Sequence, residues 1–243
     1  MIVPPPVRHL RAELLDLDKA PYEEVKDSLK DVERVNRYLS GYRVLLEHVR
    51  PFLAEHRGPR PFTLLDAATG SADQPVEVVK LARRMGVPIA VTAIDINAKM
   101  LRFARERTRA YPEIRYVRCD IFSQPFAAGS FDLVANSLSL HHFERQRVVD
   151  FLRTLASLGR RGFVVNDLHR SRVAFVSIWL LTRLLTRNRL TRYDAPVSVM
   201  NAFTPAEFQA MVQEAGIDGA RVTRHFPYRI AVVARGIEAG AVS

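Results

Sequence analysis

Helical periodicity dominates the first quarter of the chain. Between residues 21 and 56, apolar side chains recur every three or four positions, with a break near Ser40 and Gly41. Apolar residues at this spacing line one face of an α-helix. The segment therefore predicts a pair of amphipathic helices that meet at the break.

From residue 60 onward, short apolar runs alternate with helical patterns. The predicted strands end at Asp66 and lie at 89–95, 115–120, 131–138 and 162–168, and the predicted helices lie at 75–85, 97–110, 143–158 and 204–215. Residues 220–236 predict two strands joined by a tight turn near Pro227. Strands that alternate with helices form parallel sheets covered on both faces. We therefore expect the α/β class, with a doubly wound, mostly parallel seven-stranded sheet that ends in an antiparallel hairpin.

Length and composition point to one globular domain. The chain has 243 residues and 48% apolar residues, and no apolar run is long enough to span a bilayer. Its first residues do not follow the order of an export signal, and the single cysteine, Cys119, has no partner for an internal disulfide. These features predict a cytoplasmic protein.

The charge balance is strongly basic, with a formal net charge of +10. Such a charge favours anionic partners, including nucleic acid and acidic lipid. The excess is mostly arginine scattered along the chain, and a basic patch with interleaved aromatic residues is absent outside 170–192. Nucleic acid is therefore not the expected partner.

Acidic residues end three successive predicted strands. The segment LLDAATGSAD places Asp66 at the end of the first strand and small residues before a helix, and Asp95 and Asp120 end the next two. Small residues let the backbone approach a ligand, and an acid at the second strand suits the ribose hydroxyls of an adenosine. In a doubly wound sheet these ends line one crevice.

These motifs resemble those of class I S-adenosylmethionine-dependent methyltransferases over residues 60–235. LDAATGSAD is similar to the loop of ubiquinone/menaquinone C-methyltransferases and of bacterial phenol and polyketide methyltransferases, and AIDINAKML, RCDIFSQPF and FDLVANSLSLHHF extend the resemblance. It implies a Rossmann-like methyltransferase fold that binds S-adenosylmethionine. The implied cofactor-binding residues are Asp66, Ala68, Thr69, Gly70, Asp73, Asp95, Ile96, Asp120, Ile121, Asn136 and Ser137.

The resemblance also gives these residues separate roles. Asp66 and Gly70 would hold the methionine part of the cofactor, and Asp95 the ribose. Asp120 and the Ile121 backbone would face the adenine, while Asn136 and Ser137 would line the floor near the reactive methyl group. The implied organisation is a single methyltransferase domain over 1–243, divided into an N-terminal helical cap (1–58), a cofactor-binding core (60–168), a helical insertion (169–200), and a last helix with the hairpin (201–235).

Two alanines depart from the family's pattern. Ala68 and Ala72 stand where many members have glycine, so only Gly70 of the usual three remains. A positive φ at either alanine would be strained.

Three histidines follow the fourth and fifth predicted strands and are candidate general bases. His141 and His142 follow the fourth strand and His169 the fifth. Histidine accepts a proton near neutral pH, which would activate a methyl acceptor. We favour His142 or His169 if a base is used, and we expect no metal ion.

The segment 170–192 contains six arginines and no acid, together with apolar residues at helical spacing. It predicts either a lid helix packed on the core or a shallow contact with an anionic membrane. The expected walls of the acceptor pocket are Arg37 and Tyr38 from the N-terminal helices, with Trp179, Met200 and Phe203; Asn36 and Tyr193 are secondary candidates.

The predicted activity is methyl transfer to a small, largely apolar acceptor. The favoured acceptor is a phenolic hydroxyl of a secondary metabolite or polyketide. The alternatives are C-methylation of a quinone-type ring and action on nucleic acid. An NAD-dependent oxidoreductase is disfavoured by the acid within the first strand, the preceding helices and the terminal hairpin, and a scaffold without catalytic activity is a further alternative.

Overall fold

The computed structural model describes residues 7–17 and 19–236 of the chain. Its helices are α1 (Tyr22–Tyr38), α2 (Gly41–Ala54), α3 (Asp73–Met85), α4 (Ala98–Arg107), α5 (Arg145–Leu158), α6 (Arg172–Leu185), α7 (Arg189–Asn201) and α8 (Pro205–Glu214). Its strands are β1 (Phe62–Ala67), β2 (Ile89–Asp95), β3 (Ile114–Arg118), β4 (Leu133–Ser137), β5 (Gly162–Leu168), β6 (Arg221–His225) and β7 (Arg229–Arg235). Short 3₁₀ turns follow β3 and β4, at Ile121–Ser123 and Leu140–His142.

The seven strands form one sheet in the order β3-β2-β1-β4-β5-β7-β6. The first five pair in parallel, and β7 pairs antiparallel with both β5 and β6. The expected fold class, with its antiparallel end hairpin, is therefore confirmed. Strand order reverses at β1, which has β2 on one side and β4 on the other, so the carboxyl ends of β1 and β4 border the switch-point crevice.

Both faces of the sheet are buried, as the near-continuous apolar strands require. Leu65, Val134 and Phe163 point to one face, where they pack in a cluster with buried residues of α5 and α8. Leu64 and Leu133 point to the other face, towards α2 and α3. None of the helices within the described residues is long and apolar enough to cross a membrane.

The break between α1 and α2 has a steric origin. Ser40 has a φ of 62°, which turns the chain between the helices. A Cβ atom at Gly41 would lie 2.6 Å from Oδ1 of Asn36, so α2 has to begin with glycine for α1 to pack this closely. The turn brings the end of α1, including Asn36, towards the sheet.

The helical insertion contains two helices rather than one. α6 ends at Leu185, and α7 begins after Asn188, whose side chain accepts a hydrogen bond from the Thr191 N–H. Pro196 lies inside α7. The two helices pack against each other, so the insertion is a helical hairpin beside the carboxyl edge of β5.

Asp132, directly before β4, joins three segments at the amino edge of the sheet. Its fully buried carboxylate accepts two hydrogen bonds from Arg60, at 2.8 and 2.9 Å, two from Thr63 of β1, and one from Arg160 at 3.0 Å. Although burial opposes ionisation, these donors, Arg60 first, hold the pKa of Asp132 well below its usual range. Asp132 therefore fixes the start of β4 against β1.

The loop after β1 turns through three residues in the left-handed region. Ala68, Gly70 and Ala72 have φ values of 55°, 54° and 57°. This conformation costs an alanine about 1–2 kcal/mol. The loop therefore stores strain at both alanines that depart from the family's pattern, and α3 begins directly after the second of them.

Asp132→Asn is expected to lower the free energy of unfolding at pH 7 by about 3 kcal/mol, because asparagine cannot satisfy both arginines and Thr63. The folded-state pKa of Asp132 lies below the unfolded value of about 3.9. Its stabilisation is therefore present above that pH and is lost as the pH falls. In urea unfolding, the difference in the free energy of unfolding between the unaltered chain and Asp132→Asn should decrease below about pH 4.

The matched control for this test is Asp150→Asn on α5, an exposed carboxylate whose hydrogen-bond partner is Arg153. We expect this change to cost less than about 0.5 kcal/mol at any pH. If both variants lose the same free energy of unfolding, or if the loss in Asp132→Asn does not change with pH, Asp132 does not stabilise the start of β4 as an ionised carboxylate.

Ala68→Gly is expected to raise the free energy of unfolding by roughly 0.5–1 kcal/mol, since relief of the left-handed strain exceeds the entropy lost to the more flexible unfolded chain. Ala156→Gly, inside α5 and also partly buried, should change stability by about 1 kcal/mol in the opposite direction. Thermal or urea unfolding measures both. Destabilisation by both changes would show that the loop is unstrained.

Candidate active site

Three carboxylates lie at the carboxyl edge of the sheet, as the sequence predicts. Asp66 is in β1 and only 2% exposed, Asp95 ends β2, and Asp120 caps the turn after β3 by accepting the Phe122 N–H. Asp95 accepts the N–H groups of Gly70 and Asn97, each at 2.8 Å. This residue therefore ties the loop after β1 to the end of β2.

The crevice has an excess of negative charge close to Asp66. Burial, followed by the neighbouring carboxylates of Asp73 and Asp95, raises the pKa of Asp66 to about 7, and burial also raises that of Asp95. A cationic group placed beside Asp66 would stabilise its ionised form. The site is therefore suited to a positively charged ligand.

Buried polar atoms without partners surround the switch point. Both polar atoms of Gln74, at the start of α3, and Oδ1 of Asn136 and Oγ of Ser137, at the end of β4, have no hydrogen-bond partner among the described residues. Buried polar groups are normally paired, so these atoms indicate a polar ligand. A Cβ atom built on Gly70 would meet nothing within 4 Å, which leaves space against the loop.

The crevice also has an apolar border. Ile96, directly after Asp95, is 62% exposed, while Ile121 is buried after Asp120. An exposed isoleucine beside a carboxylate offers an apolar surface to a flat ring. The combination of buried carboxylates, unpaired polar atoms and this surface fits the amino acid, ribose and adenine of S-adenosylmethionine, whose amino and sulfonium groups are cationic.

The helical cap contributes to the crevice through Asn36, which donates to Asp73 at 2.8 Å. Arg229, at the start of β7, donates to Oδ1 of Asn36 at 3.0 Å and is only 2% exposed. Burial lowers the pKa of Arg229 to about 10, with Asp167 and Asp73 opposing the change. Sequence reasoning missed Arg229, because a single arginine after a turn carries no sign of burial.

His141 and Asp167 form a buried pair where β4 and β5 end. Nδ1 of His141 donates to Oδ1 of Asp167 at 2.6 Å, and the two side chains are 3% and 1% exposed. Burial opposes ionisation of Asp167, but the neighbouring His141 holds the pKa of the Asp167 carboxyl group below its ordinary value. The remaining ring nitrogen, Nε2, lies 3.6 Å from Oε1 of Glu13. Asp167 was not singled out in the sequence, where it is one polar residue in an apolar strand.

The other two predicted histidines have different environments. Nδ1 of His142 donates to Asp16 at 2.7 Å, and although burial acts against protonation, Asp16 and Glu13 raise the pKa of His142 to about 9. Burial and the charges of Arg224 and Arg170 lower the pKa of His169. Of the three predicted histidines, only His141 is thus shown with a buried carboxylate bound to Nδ1, which leaves Nε2 to act on an acceptor.

Residues 8–17, which we call the N-terminal strap, cover His141 and His142. Arg8 donates to the carbonyl groups of His141 and Phe143 at 3.1 and 2.7 Å, and Arg11 exchanges two hydrogen bonds with the Asn201 side chain. The Leu14 and Leu15 N–H groups bind Asp194, whose pKa burial raises to about 6.

Two groups of side chains have the spacing of metal ligands. Glu13, His141 and His142 bring one ligand atom each within 4.8 Å of one another, as do Glu47, His48 and His225 between α2 and β6. In the first group, Nδ1 of each histidine is already bound to a carboxylate. We still expect the reaction to need no metal ion, and an assay in the presence of a chelator tests this expectation.

The predicted acceptor residues differ widely in burial. Phe203 is 2% exposed, with the Arg8 guanidinium 4.0 Å from its ring centre, and Met200 is partly buried. Tyr38 is 77% exposed and Trp179 41% exposed. Arg37 is exposed beside Glu33, and Tyr193 faces solvent on α7.

Comparison with known proteins gives one family match and distant relatives. The family model described as a methyltransferase domain matches residues 64–162. The chain is 26% identical over 178 residues to a 2-phytyl-1,4-naphtoquinone methyltransferase of Thermosynechococcus vestitus, covering 70% of this chain and 76% of that protein. It is 24% identical to a ubiquinone/menaquinone biosynthesis C-methyltransferase of Rickettsia bellii, covering 69% and 76%.

Solved structures share the fold at lower identity. A SAM-dependent methyltransferase from Aquifex aeolicus has a TM-score of 0.57 at 17% identity, covering 90% of this chain and all of that chain. Human N-acetylserotonin methyltransferase, solved in complex with SAM, has a TM-score of 0.63 at 16% identity, covering 88% of this chain and 56% of that one. The match over residues 64–162 and the strand order thus point independently to the same group of enzymes, the class I S-adenosylmethionine-dependent methyltransferases.

Proposed function

We propose that the chain methylates a small, largely apolar acceptor at a ring that carries a free hydroxyl group, a phenol or a quinol. The observation that supports this most is the buried His141–Asp167 pair beside the crevice. A phenol needs a base to become a nucleophile near neutral pH. An acceptor that is already nucleophilic would not need one.

The residues present fit the methyl donor. When bound, S-adenosylmethionine supplies an electrophilic methyl group for in-line displacement at its sulfonium. Asp66 would bind its amino group, Asp95 its ribose hydroxyls, and Asp120 with Ile96 and Ile121 its adenine. The remaining cofactor candidates, Ala68, Thr69, Gly70, Asp73, Asn136 and Ser137, would line the methionine end. Asp95 is already oriented by the Gly70 and Asn97 N–H groups, so it needs little rearrangement to bind ribose.

His141 is the proposed general base. Asp167 accepts a hydrogen bond from the Nδ1–H group, which keeps the proton on Nδ1 and leaves a lone pair on Nε2. Nε2 removes the acceptor's hydroxyl proton, and the ionised Asp167 stabilises the imidazolium that forms. The resulting phenolate attacks the methyl group through oxygen or through a ring carbon beside it.

The choice between oxygen and carbon rests on different observations. The sequence motifs favour the phenolic hydroxyl of a secondary metabolite or polyketide. The relatives with quinone-methyltransferase names, similar over about 70% of the chain, favour a ring carbon of a quinol. Both reactions begin with the same deprotonation, so His141 serves either.

The test is a panel of phenols and quinols incubated with isotopically labelled donor, with products located by mass spectrometry and NMR. We expect labelled product from hydroxylated rings, no label in RNA or DNA, and the same rate with chelator present. Transfer to nucleic acid, or to acceptors without a ring hydroxyl, would overturn the proposal. Loss of activity with chelator would instead assign Glu13, His141 and His142 to a metal.

Asp95→Ala is expected to weaken donor binding by roughly 1–3 kcal/mol, since the ribose loses a charged acceptor and the β1 loop loses its tie to β2. Isothermal titration measures the change, and thermal unfolding checks that the variant folds. Asp150→Ala on α5 is the control for carboxylate removal and should leave affinity unchanged. Normal affinity in folded Asp95→Ala would exclude Asp95 from the site.

His141→Ala is expected to lower kcat by about 10²–10⁴-fold with donor affinity within threefold of normal. Asp167→Asn should cause a similar loss, because the amide permits the wrong histidine tautomer. A phenol acidic enough to be ionised at the assay pH should lose much less rate, since it needs no base.

This last comparison separates a base from a structural residue. His56→Gln, a histidine outside the crevice whose ring contacts the Arg60 carbonyl, is the matched control. If His141→Ala slows acidic and ordinary phenols equally, His141 only supports the fold, and the base has to be sought elsewhere.

A further inference from the structure

The outward face of α6 is apolar, against the usual arrangement of a surface helix. Several large side chains of this helix are exposed: Val173 57%, Val176 53%, Trp179 41%, Leu180 48%, Leu184 81% and Leu185 71%. Val173, Val176, Leu180 and Leu184 follow one another at spacings of three or four residues, so they form a continuous stripe. Contiguous apolar surface of this kind marks an interaction site.

Packing against the other described residues, 7–17 and 19–236, does not account for this stripe. α6 attaches through Ala174, Ile178 and Thr182, which are buried against α7 and α1. The exposed residues are additional to that contact. A lid packed on the core would bury most of its large apolar side chains, whereas α6 buries Ile178, partly buries Phe175 and Leu181, and leaves the stripe exposed.

The charges within the segment that carries the stripe are all positive, although acids of α1 lie beside its end, where Glu24 pairs with Arg189 and Asp31 accepts a hydrogen bond from Thr186. Between His169 and Tyr193 the chain has six arginines and no acid. Arg172, Arg183 and Arg187 are exposed, and the Arg183 guanidinium lies 4.1 Å from the centre of the Trp179 ring. Arginine and tryptophan bordering an apolar stripe match the headgroup region of a bilayer, where phosphates meet acyl chains.

We propose that α6 lies flat on the surface of an anionic phospholipid bilayer, with Leu180 and Leu184 among the acyl chains and Arg183 and Arg187 at the lipid phosphates. Its 14 residues extend for about 21 Å, too short to cross a hydrocarbon core of about 30 Å. The helix therefore binds in the plane of the interface.

A second copy of the chain is a poorer occupant for the same surface. A symmetric dimer through α6 would bring the arginines that border one stripe close to those that border the other. No acid lies within 169–193 to compensate this repulsion. Anionic lipid supplies both the apolar depth and the opposite charge.

The placement of α6 gives this contact a use, which rests on the proposed function. The helix follows β5, whose end carries Asp167, and packs against Leu168 and Tyr228 at the same sheet edge. Membrane binding would hold the crevice beside the bilayer. A phenol or quinol with a long hydrocarbon tail could then present its ring to His141 while its tail stays in lipid.

The experiment is sedimentation of the full chain with vesicles of phosphatidylcholine alone and of phosphatidylcholine with phosphatidylglycerol. We expect binding to the anionic vesicles, weakened at least tenfold by Leu180→Ser with Leu184→Ser and reduced by high salt. Val7→Ser with Leu10→Ser, which changes exposed apolar residues outside α6, should bind like the unaltered chain. Arg183→Gln with Arg187→Gln should weaken binding to the anionic vesicles and make the remaining binding less sensitive to salt.

Donor affinity and turnover of a soluble acceptor, measured on the same variants, separate this proposal from the proposed function. Both should stay normal in Leu180→Ser with Leu184→Ser. Absence of binding to anionic vesicles, or equal binding by the serine variant, would overturn the membrane contact whatever the acceptor is. A concentration-dependent dimer that the serine variant abolishes would assign α6 to a second copy.

Discussion

The reversal of strand order at β1 is the constraint on which the site depends. Because β2 and β4 flank β1 on opposite sides, the segments leaving β1 and β4 turn away from each other and leave a crevice between them. Everything assigned to the donor lies at the carboxyl ends of β1 to β4, in the segments that follow them, or at the start of α3. The Gly70 N–H donates a hydrogen bond to Oδ2 of Asp95 at 2.8 Å, which fixes that loop against the end of β2. The backbone thus sets the site before any ligand binds.

The crevice and the helical cap are coupled through charge. Burying Asp66, Asp73 and Asp95 together is costly, and the chain offsets part of that cost with polar groups from distant segments. Asn36 of the cap donates to Asp73, and the buried Arg229 donates to Asn36. α1 is therefore held by the same electrostatics that suit the crevice to a cationic donor, so cap and cofactor loop form one unit.

Periodicity predicted most of the fold, because the sheet is buried on both faces and its strands are near-continuous apolar runs. The β2 and β5 strands have the predicted limits, and Asp95 ends β2 as predicted, whereas β3 ends at Arg118 and Asp120 caps the turn after it. The strap at 8–17 escaped prediction, since its bonds run from Arg8, Arg11 and backbone N–H groups to distant residues and leave no repeat in the sequence. The same holds for the pairing of His141 with Asp167, which depends on β4 and β5 being neighbours.

The strap also limits how an acceptor reaches the proposed base. Glu13 is 5% exposed, accepts a hydrogen bond from Ser198 and lies 3.6 Å from Nε2 of His141. A hydroxyl that approaches Nε2 must therefore take the position next to Glu13. The strap is attached by hydrogen bonds, each worth only about 1 kcal/mol net, by the partly buried Leu14 and Leu15 and by Arg8 on the Phe203 ring, while Leu10 and Leu17 stay exposed. Burial of an aromatic ring releases about 1.5–3 kcal/mol, which offsets the loss of one or two such bonds but not of the whole strap, so an apolar acceptor can displace Glu13 locally where water gains nothing by doing so.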